Sequence, residues 1–296
     1  MAQWVDRYWT SSDGLRLHYR DYAGPADRPP ILCLPGLTRN ARDFEPLADR
    51  LAGEWRVIAV DFRGRGQSQH DPNPANYEPN VYAADVLKLL DQLGIADAVF
   101  VGTSLGGIVT MLMSTTDSER IAGAVINDIG PVVDDAGVER LRRYVGKAQV
   151  MRSWVEAAAA VAARSRIAFP DYTAEDWDRF ARRLYSERPD GSIQADYDMA
   201  ISQVFADNKG TPDFDPWPLI EGLAGKPLLI VRGETSDLFS VATAERMLAM
   251  LPDAELVTIP GVGHAPILNE PEAVAGVDRL LARVIAAEQL SCSSVA

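Results

Sequence analysis

The run Val99-Phe100-Val101 leads into Gly102-Thr103-Ser104-Leu105-Gly106-Gly107, and a helical pattern follows. Gly-x-Ser-x-Gly between a strand and a helix suits a nucleophilic serine. The tight turn lifts the hydroxyl above the sheet, and side chains at 102 or 106 would collide there. The Leu105 amide opens the helix, where a backbone donor stabilises a developing oxyanion. A serine hydroxyl is a weak nucleophile and needs a base. The chain has three histidines, His18, His70 and His264. His18 lies in an alternating N-terminal segment, and His70 precedes the polar turn Asp71-Pro72-Asn73-Pro74. His264 sits in Pro260-Gly261-Val262-Gly263-His264-Ala265-Pro266, directly after the last strand-like run. Small neighbours let that loop bend toward the carboxyl edge of a sheet, where open α/β sheets bind ligands. His264 is the candidate base.

The base needs an orienting carboxylate. After the run Leu228 to Val231 comes Arg232-Gly233-Glu234-Thr235-Ser236-Asp237. Asp237, in the loop that Gly233 opens after this strand, is the preferred acid, and the chain order Ser104, Asp237, His264 follows the order of this class of site. Asp128, at another strand end in Asn127-Asp128-Ile129-Gly130-Pro131, is second, and Glu234 also competes. A further oxyanion donor is expected from Leu34-Pro35-Gly36-Leu37-Thr38-Arg39-Asn40, with the Leu37 amide as its natural source. Arg39 reads as the partner of a nearby acid rather than as a substrate ligand.

These residues require a sheet to carry them. Trp4 to Thr10 and Leu15 to Tyr22 alternate around Asp13-Gly14, a tight-turn signal, and predict a hairpin. Continuous apolar runs at Ile31 to Leu34, Val57 to Val60, Ala98 to Val101, Ile121 to Ile126, Leu228 to Val231 and Glu255 to Ile259 suit strands buried on both faces. Helical spacing lies between them. Tyr82, Val86, Leu89, Leu90 and Leu93 share one face, and Gly94 supplies a left-handed cap. Asp43 to Leu51, Leu105 to Thr115, Val241 to Leu251 and Pro271 to Ala287 also read as helices. The alternation predicts a parallel sheet covered on both faces. It breaks between Pro131 and Trp217, where the pattern is helical throughout. The expected division is a core of residues 1–130 and 213–296 with a helical cap inserted at 131–212.

Twenty-nine lysines and arginines against 42 aspartates and glutamates leave a net charge of −13, unsuited to general binding of nucleic acid or anionic membrane. No run approaches the ~18 apolar residues of a membrane span. Cys33 and Cys292 form no disulfide framework. A soluble cytoplasmic protein is expected. Asp61-Phe62-Arg63-Gly64-Arg65-Gly66-Gln67-Ser68 lacks the third glycine of a dinucleotide loop, and no Gly-Lys-Ser/Thr follows any glycine loop. No metal-ligand spacing is present, so neither cofactor nor metal is expected.

Taken together, the loop at 35–37, the stretch at 61–68, the elbow at 102–107, the Gly-x-x-x-Asp loop at 233–237 and Gly263-His264-Ala265-Pro266 resemble the α/β-hydrolase superfamily over essentially the whole chain. The resemblance implies a mostly parallel eight-stranded sheet with one antiparallel strand near its start. It also implies a cap after the sixth strand and a purely structural role for the Asp61 stretch. The chain departs from it at Pro35-Gly36, where many members have His-Gly. Relatives that act on haloalkanes or epoxides carry aspartate at the position of Ser104, which disfavours those reactions. The expected function is hydrolysis of a small, partly apolar ester, thioester or lactone, with neutral aryl or medium acyl esters fitting better than highly charged ones. The alternatives are cleavage of a carbon–carbon bond in a diketone by the same triad, or binding of a small molecule without catalysis.

Overall fold

All six continuous apolar runs form strands of one sheet. A computed structural model of the chain describes residues 2–147, 149–203 and 214–293. The hairpin is β1 (Trp4–Thr10) and β2 (Arg16–Tyr22). The runs are β3 (Ile31–Leu34), β4 (Val57–Asp61), β5 (Ala98–Thr103), β6 (Ile121–Asn127), β10 (Leu228–Gly233) and β11 (Glu255–Ile259). Their order is β1-β2-β4-β3-β5-β6-β10-β11. β2 runs antiparallel to both its neighbours, and the pairs from β4 to β11 are parallel. The parallel carboxyl ends therefore share one edge, and β5, β6 and β10 are adjacent there.

Alternation along each strand divides the interior in two. Leu32, Ile58, Phe100, Ala124 and Ile230 face a core completed by α2 (Pro79–Leu93), α3 (Leu105–Thr116) and α7 (Val241–Met250). Cys33, Ala59, Val101, Val125 and Val231 face the other, completed by α1 (Glu45–Leu51) and α8 (Pro271–Ser293). Strands buried on both faces need apolar residues at every position, which is why the runs are continuous. Gly94 closes α2 at φ 63°, in the left-handed region a glycine enters without Cβ strain.

The 61–68 stretch is structural. Arg63 is 1% exposed and donates to three carboxylates. Nε and Nη2 hold Asp85 of α2 at 2.8 and 2.6 Å, and Nη1 reaches Asp71 at 2.5 Å and Asp13 of the hairpin turn at 2.8 Å. The Arg63 hydrogen bond is the main reason the Asp13 carboxyl drops to about 2. This contribution to stability is complete above the ordinary value of 3.8 and is lost as pH falls through about 2. Asp71 and Asp85 are buried, so Arg63→Met leaves two carboxylates without their cation. Urea unfolding should show a loss of about 3–5 kcal/mol.

Between β6 and β10 the chain is helical, but not throughout. It contains α4 (Asp135–Arg142), α5 (Trp154–Ser165) and α6 (Ala174–Leu184), as well as β7 (Val150–Met151), β8 (Tyr185–Glu187) and β9 (Ile193–Ala195). The three strands form a small antiparallel sheet in the order β7-β9-β8, which corrects the all-helical expectation. At two or three residues each, they are too short to show alternation. Ser153 accepts from the Glu156 amide to cap α5, and Thr173 forms a full capping box with Asp176 at α6. Phe169, Trp177, Phe180 and Tyr185 belong to a third core within this segment. The expected boundary at 212 lies outside the described residues. The segment is tied to the sheet by the Arg42–Asp196 ion pair at 2.8 Å and by Asn40 Nδ2 donating to the Arg183 carbonyl at 3.0 Å.

Candidate active site

β5 ends at Thr103 and α3 begins at Leu105, so Ser104 occupies the turn alone. Its backbone has φ 52° and ψ −113°, a conformation that non-glycine residues avoid. Strain of this kind costs about 1–3 kcal/mol and persists where surrounding contacts over-determine it. The Ser104 amide donates to the Asn127 carbonyl at 2.9 Å, and the Gly107 amide donates back to the Ser104 carbonyl at 2.9 Å. A Cβ at Gly106 would stand 2.0 Å from the Leu34 carbonyl oxygen, and one at Gly102 would stand 2.5 Å from that of Gly106. The turn closes only with glycine at both positions.

His264 reaches the serine from the loop after β11. Its Nε2 lies 2.9 Å from Ser104 Oγ, and its Nδ1 lies 2.7 Å from Asp128 Oδ2. With the proton on Nδ1, the ring donates to Asp128 and accepts the serine hydroxyl. The loop is anchored on both sides. Asn127 Nδ2 donates to the Pro266 carbonyl at 2.8 Å and to Thr103 Oγ1 at 3.0 Å, and the Gly263 amide donates to the Ala168 carbonyl at 2.8 Å. Asn127 was not singled out from sequence. Its signal is an amide side chain at the end of an otherwise apolar run.

Asp237, the acid preferred from sequence, does not meet His264. It lies four positions beyond the end of β10, and both of its oxygens accept from Arg140 of α4, at 2.5 and 2.8 Å. Burial opposes its ionisation, yet the hydrogen bonds and charge of Arg140 outweigh this and hold its carboxyl below the usual range. Asp128 follows β6 directly at φ 55°, fully buried, and turns its carboxylate to the ring. The β10 loop supports it: the Gly233 amide donates to Oδ1 and Ser236 Oγ donates to Oδ2, both at 2.7 Å. Glu234 is engaged elsewhere, accepting from the Gly261 amide at 2.7 Å. The structure thus brings together Ser104, His264 and Asp128, and leaves Asp237 and Glu234 apart.

The other histidines are remote from this series. His18 is held between Asp61 at 2.7 Å and Asp6 at 2.9 Å, and exposed His70 lies 3.4 Å from Asp198. Leu37 stands in the loop after β3, across the same cleft as Ser104. Fully buried Arg65 fixes this loop by donating from Nε to the Leu37 carbonyl at 3.0 Å. The Leu105 amide, first in its helix, has no carbonyl one turn back to bond. The cleft holds about 110 Å³ between the sheet edge and the β6–β10 segment, whose Phe169, Phe180 and Leu184 supply apolar wall. Arg39 lines it but pairs with Asp43 at 2.6 Å. Among the described residues no helix is long and apolar enough to cross a membrane.

Known proteins of one family match this chain over most of its length. A model of an alpha/beta hydrolase family matches residues 31–277. The chain is 30% identical to a 3-hydroxybutyrate-oligomer hydrolase of Cupriavidus necator, over 88% of this chain and 90% of that protein. It is also 30% identical to a 2-(acetamidomethylene)succinate hydrolase of Mesorhizobium japonicum, over 80% and 81% respectively. An alpha/beta hydrolase of Novosphingobium aromaticivorans, known from its crystal structure, superposes with a TM-score of 0.92 at 51% identity, over 96% of this chain and 99% of that one.

Proposed function

Because the chain belongs to the alpha/beta hydrolase family, we propose that it is a cofactor-independent serine hydrolase of a small carboxylic ester, thioester or lactone. The observation that carries this reading is the hydrogen-bonded series Ser104–His264–Asp128 on a strained strand-to-helix turn. Ser104 Oγ attacks the carbonyl carbon while His264 Nε2 takes its proton. The oxyanion that forms is met by the Leu37 and Leu105 amides. As the tetrahedral intermediate collapses, the imidazolium passes that proton to the leaving oxygen or sulfur. Water then attacks the acyl-enzyme, giving a proton to His264, and the acid leaves as Ser104 recovers it. Asp128 keeps the imidazole in the tautomer that accepts at Nε2. The segment between β6 and β10 acts as a cap over the substrate. Both curated relatives described above are hydrolases by name, which supports the reaction class.

A fluorophosphonate probe should modify Ser104, located by peptide mass spectrometry, and short-chain aryl esters should be turned over. A folded protein that neither reacts with the probe nor cleaves esters would overturn the reading.

A further inference from the structure

A second cavity of about 340 Å³ opens beside the cleft, and the two share Thr38, Tyr144, Arg164 and Leu184 in their walls. Among the described residues its wall carries Arg143, Lys147 and Arg164 and no carboxylate. That is unexpected in a chain of net charge −13. The other arginines at the cleft are neutralised, Arg39 by Asp43 and Arg140 by Asp237. The cavity's three cations form no ion pair among the described residues. Arg164 lies over the rings of Tyr144 and Tyr185, at 5.3 and 5.6 Å from their centroids. Tyr185 adds to this. It is 3% exposed, it lines this cavity, and its hydroxyl interacts with Arg164. A guanidinium can only donate, so the Tyr185 O–H itself is left without an acceptor among the described residues. Unopposed cations beside a donor with no acceptor suit a bound anion.

We infer that this cavity is a carboxylate subsite, so that the substrate is an ester carrying a free carboxylate away from the scissile bond. Arg164 holds that carboxylate, Tyr185 donates its hydroxyl to it, and Arg143 and Lys147 add to the field. The inference rests on the serine-hydrolase reading for the bond that is cleaved. It replaces the sequence-based expectation of neutral esters with a substrate of apolar body and one anionic end. Half-esters of dicarboxylic acids and acyl esters of hydroxy acids have this form.

Two matched pairs test it: monoethyl adipate against ethyl hexanoate, and 3-acetoxybutanoate against sec-butyl acetate, followed by acid release at low salt. The acid of at least one pair should have the higher kcat/KM, by about tenfold or more, and added salt should shrink the ratio. Losing a charge-assisted hydrogen bond corresponds to roughly 10–100-fold. Arg164→Gln should lower the acid-to-neutral ratio by that much. Tyr185→Phe, which keeps the ring packed, should lower it several-fold. In parallel, monoethyl adipate is titrated calorimetrically into Ser104→Ala with and without Arg164→Gln. Binding that depends on Arg164 in a protein cleaving no ester would keep the subsite and remove the hydrolase reading. Ester cleavage with no preference for either acid, or a ratio indifferent to Arg164→Gln and Tyr185→Phe, would overturn the subsite and leave the hydrolase standing.

Discussion

Ser104→Ala should lose turnover by roughly 10⁵–10⁶-fold while folding as the parent does. The size follows from what is removed. Without Oγ no acyl-enzyme forms, and His264 Nε2, 2.9 Å from the missing oxygen, has no proton to take. What remains is binding and any oxyanion stabilisation, which in such sites leaves a residual rate above that of water. The fold should survive because the hydroxyl's recorded contact is with the histidine, while the turn is held by backbone bonds to Asn127 and Gly107. A companion change separates chemistry from strain. Ser104→Gly relieves the φ of 52° and should be more stable by about 1 kcal/mol while equally inactive. Steady-state kinetics and thermal unfolding of both variants decide the matter. Activity within tenfold of the parent in Ser104→Ala would remove the serine from the mechanism.

The meeting of Ser104 and His264 was legible because their signals are local. Gly102 and Gly106 are required by backbone approaches within a few residues or to the adjacent strand, so the motif and its cause coincide. His264 follows β11 directly, and a loop at a parallel strand's carboxyl end can reach few other places. The sheet was legible for a related reason: burial on both faces writes a continuous apolar run into each strand. The β6–β10 segment obeys no such rule. Its strands β7, β8 and β9 are held by pairing with one another, and two or three residues carry no period. The cations of the second cavity come from α4's end, the following loop and α5, so their convergence is tertiary.

Which carboxylate meets His264 was not legible, because two neighbouring strands offer one to the same edge. Asn127 of β6 pairs in register with Val231 of β10, so a carboxylate just past either strand lies near His264. Spacing alone gives no preference between them. Two facts of the folded chain decide. Asp128 enters the left-handed region at φ 55°, which turns its carboxylate toward the ring. Arg140, 97 residues before Asp237 in the chain, claims the other carboxylate. The β10 loop still serves the site, but as a donor to Asp128 through the Gly233 amide and Ser236 Oγ.

Exchanging the two acids separately turns this geometry into a measurement. Asp128→Asn preserves shape but places an amide where His264 Nδ1 needs an acceptor. An amide nitrogen facing the ring favours the tautomer protonated on Nε2, which cannot take the serine proton. The comparable change in a serine protease triad costs about 10⁴-fold in kcat, and a loss of roughly 10³–10⁴-fold is expected here. Reaction of Ser104 with a fluorophosphonate should slow in step, since it needs the same base. Asp237→Asn removes a half-exposed ion pair with Arg140, at 35% and 33% exposure. Pairs of that kind contribute about 0–1 kcal/mol, so kcat should stay within about fivefold of the parent. Circular dichroism and thermal unfolding of Asp128→Asn guard against reading a folding defect as a catalytic one, because Gly233 and Ser236 also lean on that carboxylate. A collapse of kcat in Asp237→Asn with Asp128→Asn still active would mean that the catalytic state uses the acid preferred from sequence. The reverse pattern would assign the imidazole's orientation to Asp128, just past β6.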